Sequence, residues 1–157
     1  VIDSELRVPR WAELTSLALS LLGLGLSIYL TITHFEPQVL ACSTTGFIDC
    51  AKVTTSAQSE ILGIPVAILG LFNYTVMTGL NTPWAWHSKL RWVHVTRFVL
   101  AIVSMCFVLW LLFAELVIID NICEYCTAVH ITTFLLLIVL THVSPTQLGW
   151  TRSRTSE

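Results

Sequence analysis

The sequence predicts an all-α membrane protein: a four-transmembrane-helix bundle with both termini cytoplasmic and a long outer loop between helices 1 and 2. Three observations carry this. The chain has 157 residues, 55% of them hydrophobic and only 11% charged, against roughly 25% charged in ordinary globular domains. So apolar a chain cannot cover itself with polar surface. Four stretches stay nearly free of charge for the roughly 20 residues a bilayer crossing takes. Seven of the eight lysines and arginines fall on one side of the spans so defined. The length is that of one domain, residues 1–157. A net charge of −2 gives no reason to expect nucleic acid as a partner.

The first span, about 13–34, occupies the uncharged run between Glu13 and Glu36. It is too long for a cleavable leader and lacks a small-residue cleavage pattern. The second, about 61–80, lies in the uncharged run between Glu60 and Lys89. Pro65 suits its first helical turn, and Gly63 and Gly70 are expected to let helices approach closely. The third, about 93–119, carries Arg97 near its start and Glu115 near its end. Glu115 lies about 7 Å below the outer helix end at 1.5 Å per residue. Snorkelling to the interface is favoured there over a role in relaying protons. Cys106, mid-helix, is expected to be a small buried hydrophobe. The fourth span, about 123–143, falls before Arg152.

Orientation follows from the basic residues. Arg7, Arg10, Lys89, Arg91, Arg97, Arg152 and Arg154 mark one face as cytoplasmic, with Lys52 alone opposite. Trp11, Trp84, Trp86, Trp92 and Trp150 fall at that same face, as an interfacial belt would. The 35–60 loop and the short turn before the last span then face outward. Cys42, Cys50, Cys123 and Cys126 share that side, the oxidising one.

The stretch "NICEYCTAVH", residues 121–130, carries the chemistry. Cys123 and Cys126 sit at the expected start of a helix, where an i,i+3 pair shares one face. A helix N-terminus favours the thiolate. Cys42 and Cys50, seven residues apart in "CSTTGFIDC", can close a disulfide on a mobile segment. Lys52 favours a thiolate at Cys50 and Asp49 opposes it. Haem attachment through Cys-x-x-Cys needs a following His, and Thr127 stands there. A four-cysteine zinc site is disfavoured by the loose loop spacing and by the tendency of exported loops toward disulfides. No metal is expected. Static staples are a further possibility, although labile pairs are the catalytic ones. A different class, a di-haem b-type membrane cytochrome, would pair His34 with His130 and His94 with His142. His130 and His142 are twelve residues apart, about 120° around a helix, and that reading leaves four cysteines unused. A cysteine-stapled structural membrane protein is the third reading.

Two outward cysteine pairs, Ser56 six residues beyond Cys50, "SEILGIPVA" at the second span and "CEYC" at the fourth together make a pattern. Over about residues 14–143 the chain resembles the vitamin K epoxide reductase family in its bacterial form. The other bacterial membrane thiol oxidase, the partner of DsbA, has its Cys-x-x-Cys in the first outer loop, so the pair order here favours the former. The resemblance implies a quinone-dependent thiol oxidase of the bacterial cytoplasmic membrane. A separate thioredoxin-like (DsbA-type) exported protein would hand two electrons to the loop pair. Cys50 would meet Cys123 in a mixed disulfide, and Cys42 would complete the loop disulfide. Cys126 would face a quinone, menaquinone or ubiquinone, within the lipid-embedded bundle. His130 stands where animal members have a tyrosine that hydrogen-bonds the ligand. Ser59 stands in place of their quinone-contacting asparagine, and Ser56 matches the family's loop serine or threonine. For both serines a helix cap before "ILGIPVAILG" is the competing reading. The two departures, at His130 and Ser59, favour simple quinone reduction over vitamin K epoxide chemistry. The sequence stops soon after the last span with "TRSRTSE", so the partner is expected to be separate or the sequence to be cut from a longer one.

Overall fold

The computed structural model describes residues 9–42 and 45–147. Arg7, Arg152, Arg154, Trp150, both chain ends and loop residues Ser43 and Thr44 lie outside the described residues. The elements are α1 (Arg10–Phe35), α2 (Cys50–Thr54), β1 (Glu60–Ile61), β2 (Ile64–Pro65), α3 (Val66–Leu80), α4 (Pro83–Trp86), α5 (Arg91–Phe113, continued by a π-helical turn Ala114–Ile119) and α6 (Glu124–Gln147). Among the described residues three helices are long and apolar enough to cross a membrane: α1, α5 with its π turn, and α6. Helix α3 is a shorter apolar helix of 15 residues. α1 packs on α3 and α6, and α5 packs on α6 and, more thinly, on α3. The result is a helical bundle with the cysteine pairs at one end and the α3–α5 connection at the other.

The packing is inside-out relative to a water-soluble domain. On α1, Ser16, Ser20, Ser27 and Thr33 are buried, whereas Leu14, Leu21, Leu22 and Ile32 are exposed. Small residues let helix backbones approach, and large apolar ones meet lipid. The buried hydroxyls bond back to their own helix, Ser16 to the Glu13 carbonyl and Ser20 to the Ser16 carbonyl. Asn81 Nδ2 donates to Ser20 Oγ at 2.9 Å, tying the end of α3 to α1. Cys106 follows the same outward logic: it is exposed on α5 rather than buried, because its side faces lipid and not the bundle.

At Gly23 on α1 the Tyr74 ring of α3 occupies the space a side chain would need. A Cβ there would lie 1.9 Å from the Tyr74 ring. The ring in turn places its hydroxyl 2.8 Å from Thr133 Oγ1 on α6. Gly23→Ala is therefore expected to destabilise the bundle by about 1–3 kcal/mol through overpacking, read as a lowered thermal unfolding midpoint. A midpoint equal to wild type would contradict this contact. Gly70 makes a milder approach, 3.5 Å from Ser27 Oγ. Gly63 makes none. It turns the β1–β2 hairpin with φ +79°, after Leu62 at φ 54°, the two left-handed residues a two-residue hairpin loop demands.

That hairpin corrects the second span. The helix begins at Val66, not near 61, because Gly63 and Pro65 break the apolar run. At 1.5 Å per residue α3 is only about 22 Å long, and the hairpin and the 3₁₀ turn Ala57–Ser59 take up the remaining depth. Neither serine caps the helix: Ser56 Oγ donates to the Val53 carbonyl and Ser59 Oγ to the Ser56 carbonyl.

At the far end, two residues assigned to an interface are interior. Trp86 is 2% exposed and Arg97 1%. The guanidinium stacks 3.9 Å from the Trp86 ring and donates from Nε and Nη2 to the Leu80 carbonyl. It closes the C-terminus of α3, whose last carbonyls have no helical partner. Trp11, Trp84 and Trp92 are exposed as a belt requires.

Candidate functional site: two cysteine pairs and an apolar cavity

Cys42 and Cys50 form a disulfide. Cys123 and Cys126 are free thiols, so the loop pair is oxidised and the Cys-x-x-Cys pair reduced. Asp49 caps the short helix α2, its carboxylate accepting from Lys52 N at 2.9 Å, and Cys50 is the helix's first residue. The loop is tied to the α5–α6 turn by backbone pairing: Ile122 N donates to the Phe47 carbonyl at 2.8 Å and Asp49 N to the Ile122 carbonyl at 3.2 Å. Cys50 and Cys123 are thereby packed in one cluster with Leu30 and Val53, both sulfur residues fully buried. Cys42 and Cys126 pack on its margin. The sequence reading treated this loop as a mobile arm; here part of it is docked.

Two tyrosines hold the Cys42 segment. Tyr125 Oη, from between the two cysteines of "CEYC", donates to the Ala41 carbonyl at 2.6 Å. Ala41 N donates to Tyr29 Oη at 3.0 Å, and the two rings lie 4.7 Å apart. Neither tyrosine was marked by the sequence reading; each is an aromatic residue in an aromatic-rich chain and gives no signal before the loop is docked.

Cys123 immediately precedes α6. The hydrogen bond from the Cys126 thiol, aided by the Cys126 and Tyr125 backbone N–H groups, holds its thiol below the ordinary value, against burial and the nearby Glu124 carboxylate. Cys126 N lies 3.4 Å from the Cys123 sulfur. Thiolate is the attacking species in exchange, so Cys123 is the poised sulfur of this pair. Glu124 also brings a carboxylate oxygen within 4.8 Å of both loop sulfurs. With those sulfurs joined in a disulfide, the four-thiolate zinc arrangement is not formed.

Below the cysteines a cavity of about 310 Å³ opens between α1, α3, α5 and α6, a size at the lower end of the roughly 300–1,000 Å³ typical of small-molecule sites. Cys126, His130, Ser56 and Ser59 all line it, so the structure brings together every residue singled out for ligand contact. Its walls are mostly apolar, including Leu30, Val66, Phe107 and Val108. Ser104 Oγ donates to Asn73 Oδ1 at 2.9 Å within the lining. Two buried polar atoms in the lining have no protein partner: His130 Nδ1 and Glu115 Oε2. Buried polar groups are almost always paired. The two unpaired ones belong to residues on different helices that line one apolar space.

Glu115 overturns the snorkelling expectation. It is 4% exposed, and its carboxyl group and the Cys126 thiol interact. The sequence did hold the signal: Arg97, Ala101, Ser104, Val108 and Glu115 follow one another at helical spacing along a single inward stripe. Three of the histidines weighed as haem ligands have other neighbours. His34 Nε2 lies 4.0 Å from Glu60, His94 Nε2 lies 3.0 Å from the Ser88 carbonyl, and His142 is stacked against Trp11.

Residues 14–141 match the family model described as the vitamin K epoxide reductase family, and the chain belongs to that family. Its members are oxidoreductases that use quinone as a redox partner, and the apolar helices with this membership make the chain an integral membrane protein.

Proposed function

We propose that this family member is a quinone-dependent thiol oxidase, with Cys42, Cys50, Cys123 and Cys126 as its relay. The observation that carries the reading is the meeting of three things: the loop disulfide, the buried Cys123 beside Cys50, and a cavity that reaches Cys126. A reduced thioredoxin-like exported protein attacks the Cys42–Cys50 disulfide and leaves with a disulfide of its own, and the loop keeps two thiols. Cys50 thiolate then attacks Cys123 in a Cys123–Cys126 disulfide, and Cys126 departs as thiolate. Cys42 attacks Cys50 in the resulting mixed disulfide, which restores the loop disulfide and frees Cys123. The low thiol value of Cys123 makes it a good leaving group. The state described above is the one that follows this step. A quinone held in the cavity would supply the acceptor for the two electrons and two protons that the Cys123–Cys126 pair must lose to become a disulfide again.

His130 holds the ligand through its free Nδ1, one turn beyond Cys126 on the same helix face. Ser56 and Ser59 shape the loop side of the cavity; their hydroxyls bond backbone carbonyls and contribute acceptor oxygens. His130→Ala is expected to raise the KM for quinone about five- to tenfold, the worth of one net hydrogen bond, with kcat little changed. An unchanged KM would remove His130 from the site.

The four apolar helices cross the bacterial cytoplasmic membrane, and the cysteine end faces the exported side. Arg10, Lys89, Arg91 and Arg97, four of the five basic residues among those described, lie at the other end and support this orientation. The test of function is direct. Purified protein is mixed with a reduced thioredoxin-like donor and a soluble short-chain quinone, and quinone absorbance is followed. Catalytic loss of quinone, with one donor disulfide formed per quinol, is expected; haem bands or no turnover would sink the proposal.

A further inference from the structure

We infer that Glu115 is the catalytic proton acceptor for the Cys126 thiol, and that it carries this proton to the ligand in the cavity. The inference rests on the oxidase reading and adds a residue to it. Three observations support it. The Glu115 carboxyl group and the Cys126 thiol interact and line one cavity. The carboxyl oxygen Oε2 is buried without a protein partner. The residue stands in a π-helical turn, Ala114–Ile119, a distortion frequently found at functional sites.

A carboxylate buried at 4% exposure needs a reason to be there. Among the described residues no lysine or arginine lines the cavity; its titratable groups are His34, Tyr74, Glu115, Cys126 and His130. Glu115 is therefore not a counter-ion. The remaining task for it is proton exchange with the sulfur it touches. In the step, the Cys126 S–H bond breaks and the proton moves to Glu115, while the electron pair stays on sulfur. Cys123, whose thiol is held below the ordinary value, loses its proton to solvent. The two sulfurs then join, a quinone held in the cavity would take up the two electrons, and the Glu115 carboxyl, turned about its Cγ–Cδ bond, would give the proton it took from Cys126 to the ligand oxygen. The second proton of the quinol comes from solvent and replaces the one Cys123 lost earlier.

The first test needs no quinone. Reduced-minus-oxidised infrared difference spectra of the quinone-free protein are expected to show a carboxyl C=O band that changes with the redox state of the Cys123–Cys126 pair. Glu115→Gln loses the band, and Glu115→Asp, which keeps a carboxyl, shifts it. A difference spectrum that is the same in Glu115→Gln and wild type overturns the inference. The second test is single-turnover oxidation of the reduced pair by a soluble short-chain quinone. Glu115→Gln is expected to slow it about 10²-fold or more, the usual span of general acid–base catalysis, with partial recovery in Glu115→Asp. A wild-type thermal unfolding midpoint and an intact Cys42–Cys50 disulfide in both variants show they are folded. Equal oxidation rates in wild type and Glu115→Gln also overturn the inference. If wild type itself fails to transfer electrons to quinone, the oxidase reading falls, and the infrared band alone decides the role of Glu115.

Discussion

In Cys126→Ala protein, quinone reduction is expected to fall by more than about 10³-fold, as removal of one member of a unit that acts together does. The loop disulfide Cys42–Cys50 is untouched by the change, so a reduced donor still discharges one pair of electrons into each chain. It then stops, because Cys123 alone cannot form the disulfide that accepts the next pair from the loop. Folding is not at issue: Cys126 packs at the margin of the sulfur cluster rather than at its centre, and truncation there costs about 1 kcal/mol, an ordinary single-site loss. Stopped-flow absorbance of quinone, with donor thiol counted in parallel, separates the single discharge from turnover. Continued turnover in this variant would place the quinone at another sulfur.

Cys42→Ala is expected to trap the relay in mid-transfer. Supplied with quinone to oxidise the Cys123–Cys126 pair, the remaining loop thiol Cys50 attacks Cys123, its fully buried neighbour. The thiol that would resolve the product is gone. A Cys50–Cys123 disulfide should accumulate in most molecules, identified by non-reducing peptide mapping and absent from Cys42→Ala/Cys123→Ala protein. A link from Cys50 to Cys126 instead would reverse the order of the two sulfurs in the relay.

Much of this was legible in the residues. Long uncharged runs located α1, α5 and α6 to within a few residues, because a bilayer crossing leaves a signal as long as the helix itself. The start of α3 was not, since an apolar hairpin and an apolar helix look alike in "ILGIPVAILG" unless Gly63 and Pro65 are read as punctuation. Trp86 and Arg97 were assigned to the interface on identity and sequence position. Their burial depends on each other, and a mutual contact is not written in either residue. Cys106 failed for the opposite reason: in a lipid-facing bundle a small apolar side chain gains nothing by turning inward. At the site, type and spacing marked the four cysteines, and the family resemblance marked His130 and the two serines, which line the cavity. Glu115 was noticed and set aside, although the inward stripe through Ala101, Ser104 and Val108 passes through it. The tyrosine pair that pins Ala41 was invisible, because Tyr29 and Tyr125 are 96 positions apart and meet only once the loop folds back.

The pairing of Ile48 with Ile122 has a consequence for how the chain can vary. It joins main chain to main chain, two residues ahead of Cys50 and one ahead of Cys123. Because Ile122 N and Ile48 N both donate, side chains other than proline leave the bridge in place. Adding or deleting one residue between the bridge and either cysteine turns the following side chain to the opposite face, as a slip in strand register does. The alignment of donor and acceptor sulfur is thus encoded in lengths of chain rather than in the letters that fill them, and drift by substitution leaves it intact where drift by insertion does not.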